Sequence, residues 1–357
     1  MSHSDDAMRL SAGTQLNSAA RDQALDQFIN PEAPRGNVVG FGLGVKWSNG
    51  QPTGEAAVVV FVTQKLPATS LRSADLIPPQ MDDGTPTDVL AVGHPMAQQL
   101  NPGRPVNEGI AIATGQHSLT RRMRPCPAGF SIGNVAITAG TLSGVVYDFL
   151  PGATIDPPGP GIGVPGQFYV LSNNHVLAAS NAAPLGSAIV QPGPFDGGVD
   201  PQDRIATLSR FVPIQFAPPV PLNQQQNVVD CAIGAAQFQD ATREIYFNGA
   251  PRGWRRSANV AVGDLVRKTG RTTNTTIGRV IGVDATIDVN YGVGVARFQR
   301  QILTTNMSAG GDSGSLVTTL DNIAVGLLFA GSAQVTILNY FEAVRAMLRV
   351  EIAEQLL

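Results

Sequence analysis

The ten residues Ser308 to Val317, Ser-Ala-Gly-Gly-Asp-Ser-Gly-Ser-Leu-Val, hold the types that an acyl-transfer nucleophile requires. Gly310 and Gly311 allow backbone conformations closed to other residues, and Gly314 leaves room beside Ser313 for an approaching carbonyl. A serine hydroxyl alone is a weak nucleophile. The loop must therefore expose the Ser313 oxygen and aim backbone N–H groups, here those of Gly311 and Ser313, at the oxyanion formed on attack. Taken alone, Gly-Asp-Ser-Gly is also ordinary turn chemistry, so the reading depends on whether partners exist.

The base has four candidates, His3, His94, His117 and His175. His3 lies in a polar amino-terminal stretch, and His94 and His117 lie among Gly, Pro and Ser, where a solvated histidine is expected. His175 differs, because it closes the run Gln167 to Val176, an apolar strand ending in two asparagines suited to a turn. The acid that orients it should be an aspartate set among apolar neighbours. Asp230 in Val228-Val-Asp-Cys-Ala-Ile-Gly234 fits, since a charge there is costly to bury without a hydrogen-bonded partner.

The chain order His175, Asp230, Ser313 separates this set from the other known arrangements of the same three residue types. The segments Tyr169 to Val176, Asn227 to Ile233 and Ser308 to Ser315 resemble the three catalytic motifs of the trypsin-like (chymotrypsin-fold) serine peptidases. Val266 to Thr273 and Ile137 to Gly144 are similar, more narrowly, to an intracellular bacterial branch that also resembles the plant Narrow-leaf type. The resemblance runs from near residue 120 onward. It implies a mostly β fold of two antiparallel six-stranded barrels closed by a carboxy-terminal helix, with His175 and Asp230 from the first barrel and Ser313 from the second. It also implies a serine endopeptidase acting through an acyl-enzyme on a protein or peptide substrate, without metal or cofactor.

Substrate-binding positions follow from the same resemblance. Met307 falls where trypsin itself carries an acidic pocket base, so a medium-sized uncharged side chain is expected of the substrate. Phe329, Ala330 and Gly331 fall where an edge strand pairs with substrate backbone. Phe329 also stands where many relatives place a serine that supports the triad aspartate, so Asp230 must be held in another way. Asp312 captures a new amino terminus in secreted relatives, whereas here more than a hundred residues precede the barrels.

The rest of the chain bounds these expectations. With 357 residues, 43% apolar and 14% charged, it can bury a sizeable core in two or three domains. A net charge of −3 gives no basic footprint for nucleic acid. No apolar run reaches the roughly 20 residues of a membrane span. The polar start, Met1 to Ala20, lacks the apolar core of a secretory signal, which points to the cytoplasm and to Cys126 and Cys231 as thiols. Gly40-Phe-Gly-Leu-Gly44 has neither the spacing nor the following helix of a dinucleotide site. Lys268-Thr-Gly270 lacks the Ser-x-x-Lys partner of β-lactam-recognising enzymes, because neither Lys46 nor Lys65 follows a serine at that spacing.

Residues 1–30 read as a tail with a short helix over Ser18 to Ile29, and 31–105 as a small α/β module of strands at Val38, Glu55 and Thr87. Residues 106–357 carry the expected barrels, with an amphipathic helix from Ile337 to Leu357. The extra module is compatible with a homo-oligomer. A catalytically latent scaffold for protein–protein binding and an esterase using the same three residues are the alternatives, since fold alone does not fix function.

Overall fold

The computed structural model of the chain describes residues 6–97, 118–137 and 139–354. Helix α1 (Ser18–Ile29) starts at Asn17, whose side chain accepts the Ala20 N–H at 2.7 Å. Ala20, Ala24 and Phe28, spaced by one turn each, form its buried stripe. Strands β1 (Val38–Ser48) and β2 (Gln51–Val62) make an antiparallel hairpin, β3 (Thr87–Ala91) lies parallel to β2, and a two-residue strand β4 (Met96–Ala97) follows.

The next strands are β5 (Cys126–Ala128), β6 (Ser131–Asn134), β7 (Gly140–Thr141), β8 (Gly144–Asp148) and β9 (Phe168–Ser172). The short helix α2 (Asn174–Leu177) leads to β10 (Ala188–Val190), β11 (Arg204–Phe211) and β12 (Ala232–Ala236). Hydrogen bonding runs β8-β9-β12-β11-β10-β6-β7. Only Leu142 and Ser143 separate β7 from β8; Leu142 donates to Phe130 O at 2.8 Å and Ser143 to Leu171 O at 2.9 Å. The run 140–148 thus crosses from β6 to β9 and closes the first barrel.

After β13 (Ala241–Ile245), which pairs with β5, come β14 (Leu265–Gly270), β15 (Asn274–Asn290), β16 (Val295–Thr305), β17 (Leu316–Thr319), β18 (Ala324–Gly331) and β19 (Val335–Tyr340). They run β14-β17-β18-β19-β16-β15, and β14 pairs again with β15, so the second barrel is closed with six strands. The chain is mostly β, as expected. The long strand β15 is bent where Asp284 takes φ +52° and the register shifts.

The expected long terminal helix is shorter. Helix α3 spans Phe341–Leu348 and stops at Arg349, which is left-handed at φ 55°. The residues before it, Val-Thr-Ile-Leu-Asn-Tyr, are β-branched and aromatic enough to take strand β19, and those after it pair as β20 (Val350–Ile352) with β8. The apolar spacing was real but part of it served strands. Phe341, Val344 and Leu348 of α3 pack with Leu171 and Ile233 of the first barrel and Leu316 and Leu327 of the second, so the helix fills the seam.

The strands expected at 31–105 do form, but they make no sheet of their own. Strand β14 pairs with the first part of β15, and β1 takes the later part, with Gly40 opposite Ile287 and Leu43 opposite Val283. Ala24, Phe28, Phe41 and Val60 share one apolar cluster with Val266, Val280 and Val317 of the second barrel. Phe61 is 1% exposed and packs with Ala285, Ile287 and Leu303. Truncating it should cost about 3–5 kcal/mol. Because the core is shared, Phe61→Ala is expected to lower the urea midpoint of β1–β3 and the second barrel together, in one transition; separate transitions would show independent units.

Candidate functional site

Three asparagines and a short turn set the histidine. Asn173 donates through Nδ2 to Asp230 O at 2.7 Å, and Asn174 donates to Asn181 Oδ1 at 2.8 Å and Val212 O at 2.7 Å, which fixes the start of α2. His175, the second residue of α2, is 2% exposed. Its Nδ1 lies 2.6 Å from Asp230 Oδ2, and its backbone N–H donates to Asp230 Oδ1 at 3.2 Å. Two of the sequence-predicted residues are therefore brought into direct contact.

Asp230 is fully buried just before β12 and is keyed to the opposite barrel. Its N–H donates to Asn339 Oδ1 at 2.9 Å, and Asn339 is held by Gln301 Oε1 at 2.8 Å. Tyr291, in the turn after β15, donates its hydroxyl to Asp230 Oδ2 at 2.7 Å and sets its ring edge-on to His175 with centroids 5.8 Å apart. Burial, and then the Asp230 charge, push the Tyr291 phenol well above its ordinary range, so it stays a donor. Oδ2 thus accepts from the Tyr291 hydroxyl and lies at hydrogen-bond distance from the imidazole Nδ1, with Nε2 on the opposite side of the ring. Nε2 is buried and makes no hydrogen bond among the described residues.

The Ser313 loop docks on the first barrel beside this pair. Thr141 N–H donates to Ser313 O at 2.7 Å, and Ser172, at the end of β9 and three residues before His175, donates through Oγ to Thr141 O at 2.7 Å. A side chain at Gly314, which has φ +95°, would run into Ser172 Oγ and Thr141 O. A Cβ at Gly140 would lie 2.5 Å from Val176 and 3.0 Å from Ser313 O. Both glycines are required by this close approach. Ser313 Oγ lies 3.5 Å from Phe329 O, on β18.

Carbonyl contacts orient the two candidate oxyanion donors. Thr272 Oγ1 holds Gly310 O at 2.7 Å, and Ser315 holds Asp312 O through N–H at 3.0 Å and Oγ at 2.7 Å. In a trans peptide the N–H points opposite to the preceding C=O, so the N–H groups of Gly311 and Ser313 are turned away from those contacts.

Asp312 itself is completely buried and paired with Lys268, equally buried, at 3.1 Å. It also accepts from Thr273 Oγ1 at 2.6 Å and from the backbone N–H groups of Thr272, Thr273 and Ala309 at 2.9, 3.2 and 3.0 Å. The carboxylate needs no free amino terminus. Burial lowers the Lys268 ammonium from its ordinary value, and the Asp312 charge and hydrogen bond act against that shift. Arg271 meanwhile links the barrels through Nε to Asp196 Oδ2 at 2.8 Å.

The predicted substrate-contacting residues fall in two places. Met307 is 1% exposed and belongs to the apolar cluster of Val266, Val280 and Val317. Next to it Ser308 Oγ and Thr336 Oγ1 lie 2.7 Å apart, both buried and uncharged. Phe329, Ala330 and Gly331 lie on β18, where Ala330 and Gly331 pair with Ala97 and Met96. His94 is exposed, and His3 and His117 lie outside the described residues. Cys126 and Cys231 are free, buried thiols that burial pushes up. Among the described residues no cluster could hold a metal ion, and no helix is long and apolar enough to cross a membrane.

Tyr291 and Lys268 were not foreseen in these roles. Lys268 carried a signal: it is two residues from the inward Val266 on β14, so alternation points it inward as well. Tyr291 sits in an Asn-Tyr-Gly turn and carries no comparable pattern.

No family model matches the chain and no curated protein does. Among solved structures it is similar to protease A of Thermobifida fusca, at 14% identity and a TM-score of 0.43, over 64% of this chain and 98% of that one. It is likewise similar to a glutamic acid specific serine protease, at 20% identity and a TM-score of 0.42, over 63% and 99%. An α-lytic protease homologue gives 16% identity and a TM-score of 0.42, over 64% and 98%.

Removing one partner of the buried pair strands a charge. Lys268→Ala is expected to lower the unfolding free energy by about 3–5 kcal/mol in urea titration. Tyr291→Phe removes one hydrogen bond to a carboxylate and should cost about 1.5–3 kcal/mol. In the same variant the downfield Nδ1–H resonance of His175 is expected to move; an unmoved resonance would mean that the hydroxyl does not act on the pair.

Proposed function

We propose that the protein is a serine endopeptidase in which Ser313, His175 and Asp230 act as nucleophile, base and orienting acid. The observation that carries this is the 2.6 Å contact of His175 Nδ1 with buried Asp230, set beside the Ser313 loop. In this reading Ser313 Oγ attacks a peptide carbonyl, His175 Nε2 takes the proton and returns it to the leaving amine, and Asp230 holds the imidazole in the required tautomer. The N–H groups of Gly311 and Ser313 receive the oxyanion. Water then releases the acyl-enzyme.

Lys268 supports the reading by giving Asp312 an internal cation, so the loop is formed without cleavage upstream. The side chains of Ser308 and Thr336 near Met307 carry no charge, which agrees with preference for an uncharged substrate side chain. No step needs a metal or a cofactor.

A fluorophosphonate probe tests the site directly. The wild-type protein is expected to gain one probe adduct by intact mass, while Ser313→Ala gains none and His175→Ala reacts at least a hundredfold more slowly. Absence of the adduct in folded wild-type protein would reject the activated serine and turn attention to a scaffold role.

A further inference from the structure

A second polar site lies on the second barrel, apart from the Ser313 loop. The pairing of β15 with β16 shifts register between Gly282 and Ala285, and again between Ala285 and Ile287, whose partners are Gln301 and Phe298. At these irregularities two non-glycine residues turn left-handed, Asp284 at φ +52° and Arg300 at φ +58°. Such bulges re-aim side chains that regular pleating would direct elsewhere. Both residues line a cavity of about 260 Å³, together with Gln15, Arg21 on the first turn of α1, Ser257, and Tyr340 at the end of β19. One water takes only about 30 Å³ of liquid volume, so the space suits a small molecule.

The polar groups of this cavity are not matched among themselves. Arg21 pairs with Asp284 through Nη2, but its Nε is buried and has no hydrogen-bond partner among the described residues. Arg300 is exposed, and among the described residues its guanidinium forms neither an ion pair nor a hydrogen bond. Tyr340 is 6% exposed; its hydroxyl accepts the Asp284 N–H at 3.3 Å, and no described residue accepts its own proton. Burial raises the phenol above its ordinary value, so that proton stays available for donation. Two guanidinium groups against one carboxylate leave a single net positive charge. Forked guanidinium donors suit a planar carboxylate, whereas a doubly charged group would also meet Asp284. Gln15 and Ser257 add side chains that make no hydrogen bond among the described residues.

We propose that this cavity binds a small hydroxy-carboxylic acid as its monoanion. The carboxylate lies between Arg21, Arg300 and the Tyr340 hydroxyl, and the hydroxyl groups of the ligand meet Gln15 and Ser257. No bond is made or broken there. The site is separate from the peptidase reading and stands or falls without it.

Calorimetric titration of the full-length protein with gluconate, in physiological salt so that loose surface attraction is screened, tests the site. One gluconate per chain is expected to bind, with Kd below about 1 mM. Sorbitol, which has the same carbon chain without the carboxylate, should not bind. Arg300→Gln changes an exposed, unpaired residue and should weaken gluconate about tenfold or more, as should Tyr340→Phe. Arg252→Gln, outside the cavity, should leave the affinity unchanged. In NMR spectra the amide signals of Arg300, Gln301 and Tyr340 are expected to move with gluconate. Absence of saturable binding, equal binding of sorbitol, an unchanged affinity in Arg300→Gln, or amide shifts confined to other regions would each overturn the site. Inorganic phosphate binding more tightly than gluconate would overturn the choice of a carboxylate.

Discussion

Burying the Asp312 carboxylate is the constraint on which the site is built. An isolated ionised carboxylate is prohibitively costly in an apolar interior, and the cost is met only by donors of good geometry. Five groups supply them: the Lys268 ammonium, the Thr273 hydroxyl and three backbone N–H groups. Four of the five come from the β14–β15 hairpin and its turn, and the fifth from Ala309 at the head of the loop. Satisfying one charge therefore ties residues 309–315 to 268–273, and with them the peptides whose N–H groups flank Ser313.

A second buried carboxylate does the same across the seam. Asp230 belongs to the first barrel but takes hydrogen bonds from Tyr291 and gives one to Asn339, both in the second. His175 is consequently placed by both halves of the molecule. Arg271 and Asp196 add an ion pair between the barrels, and α3 fills the space behind them with Phe341, Val344 and Leu348. Relative movement of the barrels would break several of these contacts at once.

Much of this was legible in the sequence, and the reasons differ by residue. His175, Asp230 and Ser313 stand out because each sits in a distinct local pattern: a turn after an apolar strand, an acid among apolar neighbours and a glycine-rich loop. The two barrels were legible through the resemblance that the three motifs carry. What escaped was long-range pairing. The spacing at 337–357 could not distribute its apolar residues between a strand, a helix and a second strand, because that depends on β8 and β16 offering edges. That β1 pairs with β15 was not legible either, because nothing local shows that β14 is too short to cover β15. Tyr291 was silent for the same reason, being defined by a partner sixty-one residues away.

The half-covered edge of β15 also bears on self-association. Where β14 ends, β1 pairs with Val283 to Ile287 of β15 and β4 with Asn290, and the β1–β2 hairpin is itself backed by α1 and flanked on its far side by β3. Without those first ninety residues, the second barrel would present a bare, apolar strand edge, the kind of surface on which unrelated chains add strand to strand. The amino-terminal elements thus act as a built-in guard against self-association, whatever else they contribute.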